Sequence, residues 1–135
     1  VLAVGAELTH AGAVIRASQL RLTGSLRRDI LGGRFPPSQT VFLAAPAGPF
    51  LIRCRQPGDR YRPLGAPGSA RLQDMLVNRK IPRELRDRLP VVCDAQNLPL
   101  WVPGLPPADD RAVGSGTKLV VQLTYAPAGA IVPRP

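Results

Sequence analysis

The stretch from Leu51 to Leu89 constrains the fold more than any other, because a strand-like alternation there runs into tight Pro/Gly turns and then into two short helical patterns. A change of periodicity at this pace points to short strands and short helices. The same stretch holds Arg53, Arg55, Arg60, Arg62, Arg71, Arg79, Lys80, Arg83, Arg86 and Arg88, ten of the chain's 18 basic residues, against only Asp59, Asp74, Glu84 and Asp87. That imbalance suits a polyanion.

Residues 50–55 read as a strand. Arg53 and Arg55, two apart, share one face and are expected to look outward as a pair, while Ile52 and Cys54 share the other. Gln56-Pro57-Gly58-Asp59 breaks the strand, with Pro57 and Gly58 suited to a type II turn. Asp59, set among arginines, is expected to orient one of them by a bidentate hydrogen bond rather than to act as an acid or base. Residues 60–70 read as a loop, and Ser69 as the N-cap of a helix over 70–78 with Leu72, Met75 and Leu76 inward. Pro82 suits the first position of a second helix over 82–89, with Leu85 and Leu89 inward and Arg83, Arg86 and Asp87 outward.

The rest of the chain supports this stretch. Residues 7–23 read as two short strands about an Ala11-Gly12 turn, and 40–45 as another strand. Arg27 and Arg28, followed by Gly32-Gly33 and Pro36-Pro37, mark a connection where the backbone bends. Further strands are expected over 91–93, 98–103 and 118–124, with a loop over 106–116 and Trp101 in the core. The fold class is therefore α+β: a small antiparallel barrel-like β domain with two short inserted helices. Residues 1–39 are expected to lead into the same domain, 40–126 to form its body, and 127–135 to be a disordered Pro-rich tail.

Composition limits the function. At 135 residues and 44% hydrophobic the chain has the material for one domain with its own core, and a net charge of +9 makes nucleic acid the leading partner class. Aromatic residues make up only 4%, which argues against a single-strand binder that stacks bases. No apolar run approaches the roughly twenty residues of a membrane helix. The opening Val-Leu-Ala-Val has neither an initiator Met nor a basic leader, so the chain reads as a fragment. Cys54 and Cys93 are expected to be buried free thiols, and His10 to be exposed at its turn without a metal role. Gly114-Ser115-Gly116-Thr117-Lys118 has the look of part of a phosphate loop but lacks the leading glycine and the following helix, so nucleotide binding there is rejected. No catalytic grouping is present in the sequence.

The ordered series Ile52-Arg53-Cys54-Arg55-Gln56-Pro57-Gly58-Asp59-Arg60-Tyr61, Pro63-Leu64-Gly65, Gly68-Ser69, Leu72-Gln73-Asp74, Lys80-Ile81-Pro82, Arg86, Pro90 and Leu100-Trp101-Val102-Pro103-Gly104 resembles the C-terminal domain of tRNA(Ile)-lysidine synthetase. The likeness is dense from about Phe50 to Gly104 and thinner outside it. It implies a domain that contacts the acceptor stem of the isoleucine tRNA with a CAU anticodon, in a cytoplasmic enzyme that converts the wobble cytidine to lysidine. It also implies a fold like one in the phenylalanyl-tRNA synthetase β subunit. In that family ATP and Mg belong to an N-terminal catalytic domain with an S-G-G-x-D-S loop, which this chain lacks, so this piece is expected to hold no cofactor and to be inactive alone. Where relatives often carry a lysine pair after Gly-Ser, this chain has Ala70-Arg71, so a contact by residue 70 does not carry over.

The tRNA-binding candidates are Arg53, Arg55, Arg60, Arg62, Arg71, Lys80, Arg83 and Arg86, tracking phosphates and duplex shape rather than bases. The other reading is a structural or dimerisation module, a homodimer or a cover on the catalytic domain, whose arginines serve solubility or protein contacts.

Overall fold

The computed structural model describes residues 1–127. The expected disordered tail falls, but for Pro127, outside the described residues. Strands β1 (Glu7–His10) and β2 (Ala13–Arg21) form a hairpin whose two turn residues, Ala11 and Gly12, have φ of 50° and 83°. Two consecutive left-handed residues match the right-handed twist of the flanking strands. β2 pairs in turn with the last strand, which pairs with β3 (Thr40–Ala44), all antiparallel. Alternation along β2 and β3 sends Ile15, Ala17, Val41 and Leu43 into the core.

Between β2 and β3 lies a helix, α1 (Gly24–Leu31), where the sequence pattern suggested only a bending connection. Its cap explains it: the Thr23 hydroxyl accepts the Leu26 N–H at 3.1 Å. None of its residues is fully buried, so the helix carries too narrow an apolar stripe to announce itself by periodicity.

A second sheet joins β4 (Leu51–Arg53), β7 (Val91–Cys93) and β8 (Pro99–Trp101) in the order β4-β7-β8. β4 is shorter than the expected 50–55. Phe50 is held instead by a bridge to Leu2, with N–O distances of 2.6 and 2.8 Å, and the chain leaves the sheet after Arg53. Two very short strands, β5 (Arg60–Tyr61) and β6 (Ala70–Arg71), pair as a ribbon in the region read as a loop.

Helix α2 (Leu72–Asn78) follows β6 without a break. Ser69 is not its cap, because residues 70 and 71 are extended; the Leu72 N–H is satisfied by the Asp59 carbonyl at 2.8 Å. Leu72 and Leu76 are buried and Met75 is partly so, as the helical spacing requires. The helix ends in a Schellman arrangement: Lys80, at φ 57°, donates to the Val77 carbonyl and Ile81 to that of Leu76.

Helix α3 (Arg83–Arg86) is a single turn, shorter than the expected 82–89, with Pro82 at its cap position. So short a helix does not hold Leu85 and Leu89 to one face: Leu89 is buried, but Leu85 is 42% exposed. A 3-10 turn over Asp109–Arg111 precedes the closing strand β9 (Leu119–Ala126).

The architecture is the expected α+β type, with its antiparallel strands divided among three sheets that share one core. Trp101 and Phe50 are fully enclosed there with Leu2, Leu72, Leu76 and Leu105. The Trp101 indole N–H donates to the Pro37 carbonyl at 3.3 Å, so this ring is core and not a stacking platform. Among the described residues no helix is long and apolar enough to cross a membrane.

Candidate nucleic-acid interface

The turn after β4 is fixed by one ion pair. Gly58, at φ 87°, reverses the chain so that Asp59 comes back over the strand end. Its two carboxylate oxygens accept from the two terminal nitrogens of Arg53 at 2.8 and 2.9 Å, and one of them also accepts the Gln56 N–H at 2.7 Å. Arg53 further donates to Asn97 Oδ1 at 2.8 Å and to the Cys54 carbonyl at 3.0 Å. With side chains 16% and 8% exposed, the pair is nearly buried.

The bidentate role expected of Asp59 is thus present, but Arg53 does not look outward beside Arg55. It folds back onto its own turn. The Asp59 hydrogen bond, opposed by desolvation, holds the Arg53 guanidinium above its ordinary pKa. Burial alone would push the Asp59 carboxyl up, yet the hydrogen bonds from Arg53 and Gln56 outweigh it and leave the carboxyl below its ordinary value.

This braced turn forms one wall of a cleft of about 650 Å³, into which Arg55, Arg60 and Arg71 bring their charge together with Gln73 and Asp87. Arg60 and Arg71 stand directly opposite each other in the β5–β6 ribbon. Like charges in that relation cost roughly 0.2–1 kcal/mol unless an anion lies between them. Across the cleft the Arg55 guanidinium donates to one oxygen of Asp87 at 2.9 and 3.2 Å. Asp59 is neutralised by Arg53, so three arginines against Asp87 leave an excess of two positive charges facing the cleft.

The other candidates sit elsewhere. Arg62 donates to the Ala66 carbonyl at 2.9 Å and lies 3.8 Å from Asp109. Lys80 and Arg83 are exposed around the α2–α3 junction, and neither lines the cleft. Arg86 is half-buried, with its Nε enclosed and lacking a hydrogen-bond partner. The pattern of basic residues alone did not reveal Gln73, Asp87 or the brace Asn97. Asp87 was visible only as a surface charge on the second helix.

Two further expectations change. Cys54 is exposed rather than buried, because the strand ends before it; its sulfur lies 3.8 Å from Nε2 of His10, which is half-buried rather than exposed. Cys93 is a buried free thiol as expected, and burial pushes it up to about 11.

The Gly114–Lys118 segment turns its carbonyls toward a cation. Arg27 donates to those of Gly114 at 2.7 Å and Thr117 at 2.9 Å. A loop that presents oxygen in this way does not fit a nucleotide phosphate, and among the described residues no group of three or more His, Cys, Asp and Glu could hold a metal ion.

Comparison with known proteins fits this geometry. The sequence signature of the "TilS substrate C-terminal domain" matches residues 50–123, which span the braced turn, the cleft and both inserted helices. The tRNA(Ile)-lysidine synthase of Symbiobacterium thermophilum is 43% identical over 77 residues, which is 57% of this chain but only 16% of that enzyme's length. A crystal structure of a TilS C-terminal domain superposes with a TM-score of 0.75 at 28% identity, covering 98% of this chain and 95% of the other. An N-terminal fragment of the phenylalanyl-tRNA synthetase β subunit from Pyrococcus horikoshii shares the fold, with a TM-score of 0.57 at 16% identity over 84% of this chain and 38% of that one. The matched signature takes in more than half of the chain, which therefore belongs to the TilS substrate C-terminal domain family, the C-terminal domain of tRNA(Ile)-lysidine synthase.

Proposed function

We propose that this domain binds the duplex acceptor stem of the isoleucine tRNA with a CAU anticodon, through phosphate contacts made by Arg55, Arg60 and Arg71. It does so on behalf of a cytoplasmic enzyme that uses ATP and Mg to convert the wobble cytidine to lysidine. The nucleotide and metal belong to an N-terminal catalytic domain, and no residue of this chain takes part in that step. The observation that carries the reading is the Arg60–Arg71 cross-strand couple, in which Arg60 donates only to the Ser69 carbonyl at 3.5 Å and neither guanidinium meets a carboxylate among the described residues, beside Arg55 in a cleft without aromatic walls. Such a site can follow a backbone but cannot stack bases. Arg62, Lys80, Arg83 and Arg86 extend the contact beyond the cleft, whereas Arg53 acts through the shape of its turn.

The test is tRNA binding at several salt concentrations by the wild type and by Arg60→Ala, Arg71→Ala and Arg34→Ala proteins. Each cleft substitution is expected to lower the salt slope by about one and to weaken binding to all duplex sequences alike. Arg34, 76% exposed and remote in sequence, is the charge control and should change little. Equal losses from all three would mean diffuse attraction without a site. A salt-insensitive dimer that does not bind RNA would favour the packing role instead.

A further inference from the structure

We propose that Asp87 is a built-in competitor for the phosphate site, a specificity-determining carboxylate that occupies Arg55 until an array of phosphates displaces it. This rests on the phosphate-binding reading of the cleft.

The two arginine–aspartate pairs beside the turn differ in kind. Arg53 and Asp59 use both carboxylate oxygens and are nearly buried, 16% and 8% exposed, so they form a permanent brace. Arg55, 25% exposed, engages a single oxygen of an Asp87 side chain that is 67% exposed. A pair that uses one oxygen of a carboxylate so open to solvent is weak, and the carboxylate exchanges readily for another anion. Position 87 is the C-cap of the one-turn α3, where negative charge opposes the helix carbonyls, so the helix itself gains nothing from a carboxylate there.

Yet Asp87 lines the same cleft as Arg60 and Arg71. A lone anion must compete with it for Arg55 and is repelled by it. A backbone that meets Arg60, Arg71 and Arg55 together offsets that repulsion with several contacts at once. Asp87 therefore raises the threshold for binding and favours extended polyanions over isolated ones.

The experiment compares wild type, Asp87→Asn, Glu84→Gln, Arg55→Ala and the Arg55→Ala/Asp87→Asn double variant, with thermal melting as the folding control. Each is titrated with a short RNA duplex and with inorganic phosphate. Glu84 is exposed on the same helix but does not line the cleft, so its substitution makes the same change in net charge. Asp87→Asn is expected to tighten both ligands about three- to tenfold, more for phosphate than for duplex, and Glu84→Gln less than about twofold. Arg55→Ala should cost more in the Asp87→Asn background than in the wild type. Equal effects of Asp87→Asn and Glu84→Gln would overturn the proposal, as would weaker binding by a well-folded Asp87→Asn protein, which would make Asp87 a positioning residue for Arg55. Should no variant bind RNA, the RNA reading falls and the phosphate titration alone decides the role of Asp87: tighter binding by Asp87→Asn upholds the competitor, and equal binding overturns it.

Discussion

Arg53 shows how one side chain can shape a basic cleft without lining it. Its guanidinium closes the turn that carries Arg55 and Arg60, and its removal leaves the Asp59 carboxylate, 8% exposed, without its main partner. Breaking one side of a pair this enclosed is expected to cost about 3 kcal/mol at neutral pH. The acid response should change as well. In the wild type the folded Asp59 titrates below its ordinary value of 3.8, so the unfolded chain takes up the proton first. Its stabilisation is complete above that value and is lost as the pH falls through the folded one. Without Arg53, desolvation is the dominant influence left on the carboxyl, and this loss on acidification should disappear. Urea unfolding of wild type and Arg53→Ala between about pH 3 and pH 7 measures both effects; an unchanged acid slope would show that the pair is not its source.

At the scale of elements, legibility in the sequence followed length and punctuation. The β1–β2 hairpin was readable because alternation and a left-handed turn coincide at Ala11-Gly12. The β5–β6 ribbon was not, since two residues per strand give no period to detect; its extended Ala70-Arg71 also removed Ser69 from the cap it was expected to fill. The outward pairing of Arg53 and Arg55 failed for a related reason: alternation holds only while the strand lasts, and β4 ends at Arg53.

The α2–α3 junction offers a test of its own. Lys80 holds the left-handed position of the Schellman turn at φ 57°, where glycine is the unstrained choice. Lys80→Gly should stabilise the fold by about 1 kcal/mol in thermal or urea unfolding while weakening RNA binding through the lost charge. A fall in stability would mean that the Lys80 side chain supports the junction by contacts that outweigh the strain.

The fold gathers three sheets around one core, and the chain carries a net charge of +9, part of it concentrated where Arg60 faces Arg71. The excess of positive charge in this stretch was legible from the arginine spacing, but the cleft itself was not, because it is made by residues 55–60, 71–73 and 87 meeting only after the ribbon and helices fold. Such a site carries self-repulsion that an anion relieves, and binding to the folded state alone adds stability by mass action. Replacing chloride with phosphate at constant ionic strength should therefore raise the melting temperature, by about 3–6 °C when phosphate reaches roughly ten times its dissociation constant. The Arg60→Ala/Arg71→Ala protein should melt at or above the wild-type temperature in chloride, since the repulsion is gone, and should respond little to phosphate. Screening by salt and general exclusion of phosphate from protein surfaces act on both proteins alike, so the difference between them isolates the cleft. An equal rise in the double variant would place the bound anion elsewhere on the surface and remove the cleft from the proposed RNA interface.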